Sequence, residues 1–441
     1  MYSLIDTVLE SNRYLKVNFN GGDLSSDAGL LLLKEFISKM RFDHLLKQRF
    51  QTNDNANFRI HKDDENLLQA IYQLFAAYFE DDCADELTND PVFTAVLGKK
   101  ALASQPTLSR FYNRMDGDTL LQFDEINREL RRKVYSCHMP EMLLLDLDST
   151  LLETYGKQEG EGFNFHYRAH GYHPLVCYDG LTGDLLKTQL RKGTDYSSTG
   201  VQEFLQPLFD EFLSSYPSLK LFLRGDSGFA TPNLYTQCET NGTSYAIRLK
   251  ENSTLQVLAA QWSEELYELT KNNMIDYAVV YGEFFYQAGS WPYPRRVVCK
   301  IEKPANQIIH MNTFIVTNMG LAPEQIIKFY CNRGRMENFI KEGKSGFDFA
   351  SVSSRSEVVN ANRLQVHALA YNIFNWFRRL ALPKELCKHM VDTIRLKLLK
   401  IAVKVVHSAR YITFKLCSSY PYKNEFNKTL ENIRRLRPQL E

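Results

Sequence analysis

Long apolar runs, paired cysteines and an excess of charge of either sign are all missing from this chain of 441 residues. No uninterrupted apolar stretch approaches the roughly 18 residues that a membrane-spanning helix needs. The start, MYSLIDTVLESNRYLKV, has no basic patch followed by an apolar core, so the expectation is a cytoplasmic protein with no membrane association. Eight cysteines (Cys83, Cys137, Cys177, Cys238, Cys299, Cys331, Cys387, Cys417) form no CxxC pair and no dense framework, which argues against a disulfide scaffold and against a thiolate metal centre. A formal net charge of +1 argues against an outright basic binding protein. Low-complexity tracts and internal repeats are also lacking, and disorder and collagen go with them.

What is present is an ordinary apolar content of 44% and a length that predicts two or three structural units. From about residue 25 to 135 the pattern is helical, with Leu67, Leu68, Ile71, Leu74, Phe75 and Tyr78 on one face behind the acidic start Asp63, Asp64, Glu65. QPTLSRFYNRM adds Thr107 as a cap, with Arg110 and Arg114 on a later face, either solvated or turned to phosphates.

The chemistry begins at EMLLLDLDST, an apolar run from Met142 to Leu145 that ends in Asp146 and Asp148, the pattern of a buried strand with acids at its carboxyl end. HPLVCYDGLTGDLLKTQLRKG reads as a hairpin turning through Asp179-Gly180 and Thr182-Gly183. A crossover helix follows, carrying Val201, Phe204, Leu205, Leu208, Phe209 and Phe212, with Pro207 as a possible kink. SLKLFLRGDSGFA then gives a further strand with Asp226 at its end. The order is strand, strand, strand, helix, strand. Residues 251–310 read as a polar helix and a β-rich insertion, and NTFIVTN resumes the core.

Charge out of water costs several kcal/mol unless paired, so two buried strands ending in acids call for a reason. If Asp148 and Asp226 end neighbouring strands they can share a hard divalent cation, because Mg²⁺ takes one or two carboxylates plus waters and substrate phosphates. A third acid would complete a two-metal site. YCNRGRMENFIKEGKSGF supplies it: Tyr330, Arg333, Glu337 and Lys344 stand at offsets that share one face of a continuous helix begun at Pro323. That face suits phosphodiester chemistry, with Glu337 on the metal, Arg333 and Lys344 on phosphates and Tyr330 against sugar or base. The competing reading is a surface helix with an Arg333–Glu337 pair, or a face broken by Gly334.

Other signals compete. LLLDLDSTL also fits the DxDxT pattern of haloacid-dehalogenase-like phosphatases, with Asp146 as nucleophile and Asp148 as acid/base, although no second acid accompanies Asp226. His166, His170 and His173 lie close together, but Gly171 and Pro174 oppose the helix that His-x3-His zinc chelation uses. Trp291 is either a wedge against a flipped base or an anchor for a small core. After residue 377, 15 Lys/Arg face 5 Asp/Glu, a tail that a polyanion can use.

LDLDST, GKQEGEGFNFHYRAHGYHPLVCYDGLTGDLLKTQLRKG, LRGDSGFA and the Tyr-x2-Arg-x3-Glu-x6-Lys signature together resemble the DDE transposases of bacterial insertion sequences, in the insertion-sequence-four group and nearest its thirteen-eighty family. The resemblance spans nearly all of residues 20 to 400. It implies an α/β fold: an RNase H-like catalytic core with a mixed sheet, interrupted by a β-rich insertion, plus helical N-terminal and C-terminal regions. The corresponding divisions are 1–140, a helical DNA-binding region; 141–250, the first part of the core; 251–310, the insertion; 311–380, the second part of the core with the Glu-bearing helix; and 381–441, a basic helical region.

By motif, Asp148, Asp226 and Glu337 resemble the three catalytic, metal-holding acids, with Asp146 a rival for the first place. Tyr330, Arg333 and Lys344 resemble the DNA-binding residues of the signature. The family's cofactor is Mg²⁺, with Mn²⁺ as a substitute. Its partners are double-stranded DNA, as element inverted repeats and as target, and a second copy of the protein in a dimer or higher assembly. Its place is the bacterial nucleoid.

Overall fold

The computed structural model describes residues 6–271 apart from 55 and 57, then 277–305, 307 and 309–439. The chain divides into two compact units. One is formed by residues 139–341 and 352–361, the other by the chain up to His138, residues 342–351 and the chain from Asn362 onward.

The first of these units is built on a mixed eight-stranded sheet. Its strands are β1 (Met142–Ser149), β2 (Leu175–Asp179), β3 (Leu185–Gln189), β4 (Lys220–Gly225), β5 (Ser244–Leu249), β6 (Ala278–Tyr286), β7 (Arg295–Lys303) and β8 (Met311–Thr317). Their order across the sheet is β6-β7-β8-β5-β4-β1-β2-β3. β1, β4 and β5 run parallel, and the remaining neighbours are antiparallel. The expected sequence of strand, strand, strand, helix, strand is found, with the helix Val201–Ser215 carrying Pro207 inside it. That helix starts from Gly200 in the left-handed region with no side-chain cap.

Residues 251–310 do not make a sheet of their own. After the helices Ser253–Leu258 and Ala260–Thr270, their strands β6 and β7 extend the central sheet through β8. Trp291 is buried there, edge-on to Tyr235 and Tyr286 and under the Arg295 guanidinium, so it is an anchor of this core.

A buried ion pair ties the sheet centre together. Arg224 on β4 holds both oxygens of Asp146 on β1, Nε to Oδ1 and Nη2 to Oδ2, each at 2.6 Å. Arg224 also donates to the Phe329 carbonyl and lies over the Phe329 ring. A Cβ on Gly180 would come within 2.2 Å of Asp146 Oδ2, so the β2–β3 turn reaches this pair only as glycine.

The second unit gathers the helices Leu30–Lys39, Phe42–Arg49, Asp63–Phe75, Pro91–Leu97, Gln105–Asn113 and Gly117–Cys137. Its core is aromatic, with Phe36, Phe42, Phe374, Phe377 and Trp376 in edge-to-face contact and Phe75 tilted against Phe374. Ser104 and not Thr107 precedes the Gln105 helix, and Arg114 is tied to Asp63 at 2.8 Å. Two departures from the helical expectation occur. Thr7–Leu9 pairs with Asn12–Val17, and the 381–441 region contains the strands Val403–His407 and Ile412–Leu416 besides the helix Lys423–Arg435. Val403 and Val405 alternate inward around an exposed Lys404, a period of two that a helix cannot satisfy.

Two stability outcomes follow. Asp146→Asn strands the Arg224 charge in the sheet and should lower the unfolding free energy in urea by about 3–5 kcal/mol; a change below about 1 kcal/mol would contradict the pair. Asp179 is raised to about 6, chiefly by burial, against the hydrogen bond from Thr182. The folded state therefore holds that proton more tightly than the unfolded chain. Its contribution to stability is present below the ordinary carboxylate range and is lost as pH rises through about 6. Relative to wild type, Asp179→Asn should gain on the order of 2 kcal/mol between about pH 4 and 7, and a flat difference would exclude this.

Candidate active site

The register of β1 against β4 places the two acids. Leu147 stands opposite Gly225 in parallel pairing, so the next residues, Asp148 and Asp226, sit side by side at the carboxyl ends of strands about 4.8 Å apart. Asp226 is then fixed by the turn after β4, where its Oδ1 accepts from Gly228 N at 2.9 Å. Asp148 Oδ1 accepts from Ser149 N at 2.8 Å. Burial raises the Asp148 pKa most, Arg333 opposes this, and the neighbouring charge of Asp226 adds to the rise.

Asp146 and Asp148 lie on the same face of β1, yet only one is accessible. Asp146 is fully buried with both oxygens held by Arg224, whereas the Asp148 side chain is 17% exposed. A nucleophilic Asp146, as the phosphatase reading needs, would have to break the bidentate pair and open the sheet.

The signature residues are not on one continuous helix. One helix runs Pro323–Cys331, and a second runs Gly334–Phe347. Between them the bonds Arg333 N to Tyr330 O and Met336 N to Arg333 O make a tight turn, as expected where Asn and Gly offer little helix propensity. The first helix is seated on the sheet by Ile326 and Ile327 against Ala246, Val298 and Ile315, with Tyr330 at the rim of that cluster. The second is seated by buried Met336 and by Phe339, which lies 5.8 Å from the Tyr178 ring and fills the space beside Gly183.

The turn delivers Arg333 to the acids. Its Nη2 is 2.9 Å from Asp148 Oδ2 and 2.9 Å from the Leu147 carbonyl. Burial works against this guanidinium, but the charges of Asp148 foremost, then Asp226 and Asp146, hold its pKa above the ordinary value. The pairing of Arg333 with Glu337 that a plain surface helix predicts is not what the side chain makes. Glu337 is exposed, roughly one helical turn beyond Arg333, and its side chain forms no hydrogen bond or ion pair among the described residues. Among those residues no three carboxylate, His or Cys groups gather as a metal cluster; Arg333 and Tyr330 feel the charges of both Asp148 and Asp226, and Glu337 is not brought to them. Lys344 stands further along the same helix, within the other compact unit.

The sequence did not single out Tyr167. Its hydroxyl donates to the Ser149 carbonyl at 3.2 Å, and its pKa is pushed up to about 12 by burial and then by the charges of Asp148 and Asp226. The signal was only its place amid three histidines. Those form no metal set among the described residues: His170 meets Glu161, His173 meets the Asp195 carbonyl, and the His166 and His173 rings stand edge-on to Tyr167. The Ser149 and Ser197 hydroxyls are 3.0 Å apart beside Asp148.

Two adjacent carboxylates with one resident cation, at an accessible sheet end, are a donor set that fits a hard divalent ion. The chain matches the transposase DDE domain group 1 family over residues 8–438 and belongs to that family, whose domain normally works with divalent metal ions. Its function is accordingly that of a transposase. No curated protein matches it. Among solved structures it is similar to the piggyBac transposase synaptic complex with hairpin DNA, at 13% identity and a TM-score of 0.38, covering 94% of this chain and 86% of that one. No helix among the described residues is long and apolar enough to cross a membrane.

The contrast in partners sets a prediction for thermal or urea unfolding. Glu337→Gln should stay within about 0.5 kcal/mol of wild type, whereas Arg333→Ala, which leaves two like charges facing each other, should cost on the order of 1–2 kcal/mol. Equal losses would contradict the arrangement.

Proposed function

We propose that this protein is the transposase of a bacterial insertion sequence in the insertion-sequence-four group, acting on the nucleoid through an RNase H-like core. It binds the element's terminal inverted repeats, cuts DNA beside them and joins the freed end to target DNA. The observation that carries the reading is the juxtaposition of Asp148 and Asp226 at the ends of adjacent parallel strands, in a chain matched almost end to end by a DDE family.

Asp148 and Asp226 would hold Mg²⁺, with Glu337 as the third acid carried by the helix after the Arg333 turn. When bound, the ion supplies Lewis-acid charge for activating water or a 3′-hydroxyl and for steadying the leaving oxygen. The chain's own groups do the rest. Arg333 and Lys344 hold phosphates beside the scissile bond, and Tyr330 packs on sugar or base. In the first step water attacks phosphorus and the bond to the 3′ oxygen breaks, leaving a 3′-hydroxyl and a 5′-phosphate. In the second, that 3′-hydroxyl attacks a target phosphate and displaces a target 3′ oxygen. The helical N-terminal region and the basic C-terminal region grip the ends, two copies pairing two ends, and this grip weakens steeply with salt.

The test incubates duplexes carrying the DNA that flanks the protein's own gene with Mg²⁺. Wild type should nick them, and Asp148→Asn, Asp226→Asn and Glu337→Gln should each lose at least about 100-fold in cleavage rate, or about 2.7 kcal/mol, while still shifting the DNA on a gel. Equal nicking by all four proteins, or binding by wild type with no Mg²⁺-dependent cleavage, would contradict the proposal.

A further inference from the structure

The same sheet carries two Arg–Asp pairs with opposite character. Arg224 and Asp146 are mutually saturated, with two bonds between them and side chains 2% and 0% exposed. Arg333 and Asp148 meet through a single nitrogen, Nη2 to Oδ2, with side chains 14% and 17% exposed. Arg333 Nε is buried without a hydrogen-bond partner among the described residues. The residue also sits in the turn between two helices, outside the bounds of both.

A cation that coordinates Asp148 through Oδ2 must take that oxygen from Arg333, and an anion that engages Arg333 must take the guanidinium from Asp148. Parting the pair costs free energy once. Whichever ligand arrives first bears that cost, and the second binds without it, which by linkage makes each favour the other.

We propose that Arg333 is an exchange cation: it occupies Asp148 until DNA phosphate draws it away, and in doing so couples occupancy of the metal site to the presence of DNA. The proposal rests on the reading of Asp148 and Asp226 as metal-holding acids. Its physical content is that the chain weakens its own metal site when no substrate is present. Arg333 is a positioning residue here, acting on the metal site through Asp148, and a purely structural role would give the opposite sign. Loss of a structural arginine weakens metal binding, whereas loss of a competitor strengthens it.

The experiment measures Mn²⁺ affinity of the full-length protein without DNA, from the electron paramagnetic resonance signal of unbound Mn²⁺, at a pH of about 8 so that carboxylates of ordinary pKa are ionised. Arg333→Ala should bind Mn²⁺ about tenfold more tightly than wild type. Arg333→Lys, which keeps the charge and folds if the alanine variant does not, should fall between them. Asp226→Asn should bind about tenfold more weakly. Unchanged or weaker binding by both Arg333 variants, with Asp226→Asn still weakened, would overturn the exchange and leave the metal pair standing. Unchanged binding by Asp226→Asn would overturn the metal pair itself, and the exchange with it.

Discussion

Two aspartates at the ends of adjacent parallel strands repel each other in a place where water screens them poorly, and the structure around them is arranged to make that tolerable. β1 and β4 set the spacing, and the turn from Asp226 to Gly228 fixes one carboxylate. The Asn332–Arg333 turn brings a guanidinium to the other. A hard divalent ion between the two carboxylates would answer the same electrostatic demand.

The neighbouring buried pair gives the site its rigidity. By bridging Asp146 on β1 to the Phe329 carbonyl, Arg224 on β4 ties both acid-bearing strands to the helix that leads into the Arg333 turn. A pair this buried contributes through what its loss would expose more than through net stabilisation. Here it also holds both oxygens of buried Asp146, so that of the two acids on the strand only Asp148 is accessible.

The central features were legible for identifiable reasons. An apolar run ending in acids is a period and a terminus, both local, and so the acid-ended strands and the hairpin through Asp179-Gly180 could be read directly. The choice between Asp146 and Asp148 could not, because both lie on one face of β1 and the deciding partner, Arg224, is 78 positions away. The signature's offsets concealed the turn at Asn332–Arg333, since helical arithmetic assumes an unbroken helix and a break leaves the spacing of letters unchanged. Burial of β6 and β7 against β8 likewise depends on distant strands, so that segment read as β-rich without revealing which sheet it joins. At the C-terminal end, the basic composition points to a helical tail, whereas the inward period of two at Val403 and Val405 marks a strand.

The central claim is that Asp148 and Asp226 form one cation site from which Arg333 withdraws. Crystals of the protein grown with Mn²⁺ and a short DNA duplex, measured for anomalous scattering at the manganese edge, test it most directly. An anomalous peak shared by the two carboxylates is expected, with the Arg333 guanidinium off Asp148 and on a phosphate. Bound DNA with no peak between the carboxylates, or a peak there with Arg333 still on Asp148 Oδ2, would contradict it.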